Sequence, residues 1–500
     1  MSGKMPIVYG ALTLTGVNVL LRFVGTSFQV YISSVIGPAG VGLLQLVLSV
    51  NGLCMTAGIA GIRTSAMYLT AEELGKKRPG NVPWVMSGCF VYCLLTSGLV
   101  SLCLNLFAPA IAEKWMGTRD ALPALRTFAC FLPVMCMCGV MTGYFTASNR
   151  IGTLAAVEVA EQLFSMAVTL FFLRLLPAQT PAGTCERVIL GSCLGNCLTL
   201  LCLIGLYFTH KTAASPRIPV RKRLLRTALP LALADDLKAG ISCLENLMVP
   251  KRLALFAGIG DPLASFGVIT GMVFPIMMFP AAILFSLAEL LIPELARCHA
   301  AGSRKRIRYL VGRNLRVSLF YGLSCGAIVF LVSGPLCERL YPGIGVAPYL
   351  RWFSILIPLL YCDIITDSMT KGLGQQTWCV RYNILTNTLD VILLFFLLPR
   401  LGLKGYFISF LVTHVLNFLL SLRRLSLVSG VGFSLSAPAR STAAALVSLL
   451  GARAFTGWIR QVPAFLGLFL SVCYLLGTVH PGDIQWIRGL FFSQKNSASK

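Results

Sequence analysis

Apolar runs long enough to cross a bilayer, about 20 residues each, follow one another along the chain with short connections between them. Placed at that spacing they fall at 7–36, 40–70, 83–111, 121–147, 153–176, 187–209 and 228–250. The series continues at 263–296, 315–336, 346–371, 377–398, 404–422, 434–455 and 461–479. This predicts an all-α polytopic membrane protein of about 14 transmembrane helices. Several runs are interrupted by helix breakers: Pro133 and Gly139, then Pro275, Pro280 and Pro293, and Pro358. Such breaks are tolerated where neighbours or water satisfy the freed backbone groups, and they allow a helix to bend. Ordinary kinked packing explains any one of them equally well.

Composition agrees with the pattern. The 500 residues are 56% hydrophobic and only 12% charged, about half the charged share of a soluble domain. The net charge of +24 raises nucleic acid as a partner, but its placement points to topology. Basic clusters occur at Lys76–Arg78, at Lys211–Arg226, at Arg304–Arg316 and at Arg423–Arg424, in every second connection. By the bias of Lys and Arg toward cytoplasmic loops, those connections and both termini are expected on the cytoplasmic side. Membrane lipids are the expected partner of the basic loops, and nucleic acid is not. No cleavable leader is expected, because MSGKMPIVYG runs straight into the first span.

The most basic connection, 210–227, suggests a boundary. Residues 1–209 would form a first lobe of six spans and 228–425 a second. Two further helices would occupy 426–482, and 483–500 would be a cytoplasmic tail. Parallel repeats of this kind are a known transporter plan, with the substrate site between the lobes.

Against this apolar background the buried charges carry the functional signal, because ionisable groups inside a membrane are costly unless they face a cavity or a partner. Arg22 sits midway along the first span, and a guanidinium suits bidentate binding of phosphate. Arg63 lies in the second span; Lys238 and Glu245 share one face of the seventh. In the tenth, Asp363, Asp367 and Lys371 recur every four residues and stack on one helix face. Asp367 and Lys371 could instead form an ion pair at the helix end, whereas Asp363 lies two turns deeper without a local basic partner. Arg22, Arg63 and Lys238 are therefore candidate substrate contacts. Glu245, Asp363, Asp367 and Lys371 are candidates for ion coupling or gating.

Enzyme chemistry finds little support. The four histidines fall in separate segments, no metal-ligand spacing or phosphate-binding glycine loop is present, and the 18 cysteines are scattered through apolar runs without a CxxC pair. No cofactor or metal is expected beyond a coupling ion, Na+ or H+.

Several segments carry a resemblance. TLTGVNVLLRFVGTSFQVYISSVIGPAGVGLLQLVLSV followed by TAEE, then SCLENLMVPKRL, PELARCHAAGSRKRI, DIITDSMTKGLGQQ and RYNILTNTLDVILLFFLLPRLGLKGY, occur in that order over residues 7–425. Together they resemble the stage V sporulation protein B family of the multidrug/oligosaccharidyl-lipid/polysaccharide exporter superfamily, which is related to the lipid II flippases. The resemblance implies a two-lobed, 14-helix fold like that of the multidrug exporters. It also implies cavity arginines that engage the pyrophosphate of an undecaprenyl-linked saccharide. Arg22 matches the arginine of the first span. Phe28 and Gln29 stand where a second arginine is expected, Arg63 replaces the usual proline, and Met67 and Tyr68 stand where a basic residue is common.

The function expected from these readings is a flippase in the bacterial cytoplasmic membrane. It would carry an undecaprenyl-pyrophosphate-linked saccharide between leaflets by alternating access, in synthesis of peptidoglycan or another polysaccharide and with a role in spore envelope formation. Envelope-synthesis proteins are candidate partners. The alternatives are a cation-coupled multidrug exporter, which would favour an acidic, aromatic cavity, and a membrane scaffold for envelope synthesis.

Overall fold

Leucines on the third apolar run show what surrounds the protein. Leu95, Leu99, Leu102 and Leu106 fall on one face of a helix and are exposed. A contiguous leucine face of this kind would be an aggregation site in water, and in lipid it is at rest. The computed structural model describes residues 5–175, 180–209, 221–432 and 436–477, and no strand occurs among them.

The helices are α1 (Met5–Ile59), α2 (Ile62–Gly75), α3 (Val82–Ala110), α4 (Leu122–Ala147), α5 (Ile151–Leu175) and α6 (Pro181–Thr209). They continue as α7 (Arg221–Leu253), α8 (Pro262–Gly267), α9 (Phe274–Met278), α10 (Ala281–Ala300), α11 (Arg304–Leu340) and α12 (Ala347–Ser354). The last are α13 (Ile357–Gly372), α14 (Gln376–Leu401), α15 (Leu403–Ser429), α16 (Ser436–Ala452) and α17 (Trp458–Leu475). A helix covers every predicted run. By length and composition alone, nine described helices can cross a membrane, or up to 11 if each bent pair is one span. The expected 14 crossings are thus not reached by this measure. The protein is a multi-pass membrane protein of helical fold.

Local chemistry explains the breaks. The first two predicted runs merge in α1, which turns at Gly37 with φ 77° and ψ 171°. Pro38 excludes the helical conformation from the residue before it, and only glycine accepts a positive φ there cheaply. The chain breaks again at Ala60 and Gly61, both with positive φ, before α2. The proline-rich run at 263–296 becomes α8, a π-helical stretch Val268–Val273, α9 and α10. The run containing Pro358 becomes α12 and α13, bent by 51°.

The chain forms two compact units, one of Met1–Pro275 and Asn387–Phe410, the other of Ile276–Thr386 and Leu411–Lys500. In the first, α4 is central: it packs against α2, α3 and α6, and Leu125, Leu132, Val140 and Phe145 on it are fully buried. α7 and α8 pack on α1 in this unit, whereas the hydropathy reading grouped them with the second lobe. The linker expected at 210–227 lies outside the described residues over 210–220, as does the tail expected at 483–500.

In the second unit α13 packs between α10 and α11, and the Tyr361 hydroxyl donates to the Met277 carbonyl at 2.8 Å. α16 and α17 close on α11 through Phe465 and Phe469, whose rings stack with each other, Phe469 also stacking with Phe320.

Candidate functional site

Two of the three predicted substrate contacts line one cavity in the first unit. The cavity, about 560 Å³, is bounded by α1 (Leu48, Gly52, Thr56), the start of α2 (Gly61, Arg63, Thr64) and α7 (Asp235, Lys238, Ser242). Ile59 and Gly61 at the chain break line it as well. Breaking the helix there exposes the carbonyls that end α1 and the N–H groups that begin α2. Two of the carbonyls are satisfied: Thr96 Oγ1 donates to Gly58 at 2.8 Å, and the Tyr92 hydroxyl reaches the Ala60 carbonyl at 3.4 Å. Gly61 gives α2 no side-chain cap. The positive end of α2, Arg63 and Lys238 therefore face one space with Asp235 as the acid lining it. That combination favours an anion, above all a phosphate able to take a guanidinium fork and helix N–H groups together.

Close packing sets the place of Arg63. A Cβ on Gly143 of α4 would lie 2.5 Å from the Arg63 carbonyl oxygen and 3.1 Å from the Met67 nitrogen, so the absent side chain lets α2 lie against α4. At the other end of α2, Arg223 at the start of α7 donates to Glu72 and Glu73, each at 2.8 Å. Asn81 donates to the second oxygen of Glu73, also at 2.8 Å. The two acidic residues push the Arg223 pKa still higher, chiefly through its hydrogen bond to Glu73. α7, which carries Lys238, is thereby tied to α2, which carries Arg63.

The other predicted residues lie elsewhere. Arg22 is exposed on α1 and does not line this cavity. Glu245 on α7 is hydrogen-bonded to Asp390 of α14, whose carboxylate also accepts from the Ser409 hydroxyl of α15. Asp390 escaped the sequence reading, although its signal, one carboxylate inside the apolar stretch NTLDVILLFF, was present. The α13 ladder lies in the second unit and divides as its spacing allowed. Asp367 and Lys371 form an ion pair of 2.6 Å, partly exposed. Asp363 instead accepts from Asn417 of α15, at 3.0 and 3.2 Å to its two oxygens. Asn417 lies 54 residues away in the chain and gave no signal of its own. Among the described residues no cluster of His, Cys, Asp and Glu could hold a metal.

Comparison with known proteins places this architecture. Residues 7–298 match the family model described as "Polysaccharide biosynthesis protein". The chain is similar to stage V sporulation protein B of Bacillus subtilis (strain 168), 23% identical over 470 residues that cover 89% of this chain and 88% of that protein. Among solved structures it resembles the lipid II flippase MurJ in its inward closed conformation, with TM-score 0.71 and 12% identity over 93% of this chain and 98% of that one. It also resembles an inward-facing multidrug resistance MATE family transporter of the MOP superfamily, with TM-score 0.66 and 15% identity over 85% of this chain and all of that one. These structural likenesses establish the fold. The family match covers more than half of the sequence, and the chain belongs to the polysaccharide biosynthesis protein family, with the fold of the MOP exporters.

Proposed function

We propose that the protein flips an undecaprenyl-pyrophosphate-linked saccharide from the inner to the outer leaflet of the bacterial cytoplasmic membrane. One observation carries the reading: Arg63, Lys238 and the uncapped start of α2 face one cavity on helices of a membrane protein. Cations brought together inside a membrane need a compensating charge, and a diphosphate supplies it while its isoprenoid tail stays in lipid. Family membership supports a polysaccharide precursor as cargo. The likeness to stage V sporulation protein B supports a part in spore envelope formation.

Alternating access would carry the headgroup across, with Glu245–Asp390 and Asp363–Asn417 as the groups that couple an ion, Na+ or H+, to the movement. The basic connections support a topology with both termini on the cytoplasmic side. In the test, full-length protein in vesicles translocates a fluorescent undecaprenyl-pyrophosphate-linked saccharide. The double variant Arg63→Ala/Lys238→Ala lowers the rate at least about tenfold, the loss of one charge-assisted contact. An undiminished rate in that variant would refute the assignment.

A further inference from the structure

A second cavity of about 770 Å³ lies among α1, α4, α5 and α6 of the first unit. It shares Leu48 and Gly52 with the Arg63–Lys238 cavity, so the two adjoin along one turn of α1. Its character is opposite. Glu158 and Glu161 line it on α5, together with Gln162, Asn51, Ser192 and Asn196, and among the described residues no basic one does. Glu158 is also within electrostatic reach of Arg63, which belongs to the first cavity. Three of these groups are already engaged: Glu161 accepts from Thr199 at 3.0 Å, Gln162 donates to the Leu21 carbonyl at 3.2 Å, and Asn196 donates to the Ser192 carbonyl at 2.9 Å.

Asn51 stands apart. It is 4% exposed, it lines the cavity, and neither its amide nitrogen nor its carbonyl oxygen has a partner among the described residues. A buried amide left so is costly. What completes it must both accept from Nδ2 and donate to Oδ1. A metal ion or an organic ammonium satisfies only the oxygen, and an anion only the nitrogen. A hydroxyl satisfies both. Water would do this, and a sugar hydroxyl would replace it with the same pair of bonds. The carboxylates take further hydroxyl donors, exclude phosphate by charge, and leave the volume of a small-molecule site, within the usual span of about 300–1,000 Å³.

We propose that this cavity binds the saccharide of the lipid-linked substrate, an uncharged sugar rich in hydroxyl groups, while the neighbouring Arg63–Lys238 cavity holds its pyrophosphate. The two cavities would then sort the two halves of one headgroup by charge along a single turn of α1. The inference rests on the proposed function and adds the part of the site that reads the sugar.

Native mass spectrometry of the full-length protein in detergent, titrated with two lipids, separates the two claims. One probe is undecaprenyl pyrophosphate, and the other is the same lipid bearing an N-acetylhexosamine disaccharide. Wild-type protein is expected to bind the sugar-bearing lipid about tenfold tighter than the bare one. Asn51→Leu and Glu161→Gln each erase most of that preference and leave the affinity for the bare lipid unchanged. Glu161→Gln keeps the shape of the side chain, so the test stands even if Asn51→Leu does not fold. Arg63→Ala weakens both lipids alike.

A preference that persists in both cavity variants, or is absent from wild type, overturns the sugar assignment. Failure of wild type to bind either lipid overturns the proposed function as well. Glu161-dependent binding of tetraphenylphosphonium without any sugar preference would make this an organic-cation cavity instead.

Discussion

Gly143→Ala tests whether the packing of α2 on α4 sets the position of Arg63. The added Cβ would lie 2.5 Å from the Arg63 carbonyl oxygen, against an ordinary contact of 3.4 Å or more, so about 0.9 Å must be found. Both near atoms, the Arg63 oxygen and the Met67 nitrogen, are backbone, and no rotamer change relieves them. α2 must move away from α4 by that amount and take Arg63 with it. Gly139 supplies the control one turn earlier on α4: its Cβ would meet Ile59 at 3.7 Å and Arg63 Cβ at 3.9 Å, both ordinary contacts.

Alanine gains roughly 1 kcal/mol of helix propensity at either position, and overpacking costs about 1–3 kcal/mol at Gly143 only. The two variants should therefore differ by about 1–3 kcal/mol in thermal stability in detergent. A displacement near 1 Å at a site that positions its ligand costs on the order of 100-fold, so transport in vesicles falls far more for Gly143→Ala than for Gly139→Ala. Equal stability and equal transport in the two variants would refute the reasoning.

Two further predictions concern the second unit. Phe469→Ala removes a fully buried ring stacked between Phe320 and Phe465 and should cost about 3–5 kcal/mol, read as a lowered unfolding temperature; a shift of a degree or less would show that α17 does not hold α11. In α13, Asp367→Asn loses a partly exposed ion pair worth at most about 1 kcal/mol. Asn417→Leu deprives the deeper Asp363 of its amide donor and costs about 1–3 kcal/mol; the opposite ranking in thermal unfolding would count against the division of the ladder.

The ladder shows where sequence reading reaches its limit. Spacing of four put Asp363, Asp367 and Lys371 on one face, and the Asp367–Lys371 pair follows from that local geometry. The partner of Asp363 is a neutral amide on another helix, which no local pattern announces. The same holds for Glu245, whose neighbour Asp390 comes from α14. Arg22, the most central charge of the first run, lines neither cavity, because the face a residue presents depends on which helices pack around it. Arg63 gained its setting from the break at Ala60–Gly61, and the sequence reading had run one span straight through that point.

Hydrophobic periodicity by itself determined the helical class, the order of the elements and the membrane as solvent, since each follows from how many consecutive apolar residues a bilayer requires. The separation of a cavity lined by Arg63 and Lys238 from an acid- and amide-lined one was decided by tertiary structure alone. It depends on how α1, α2, α5 and α7 approach one another, on a glycine in α4 that permits one of those approaches, and on the satisfaction of buried polar groups by residues far away in the chain.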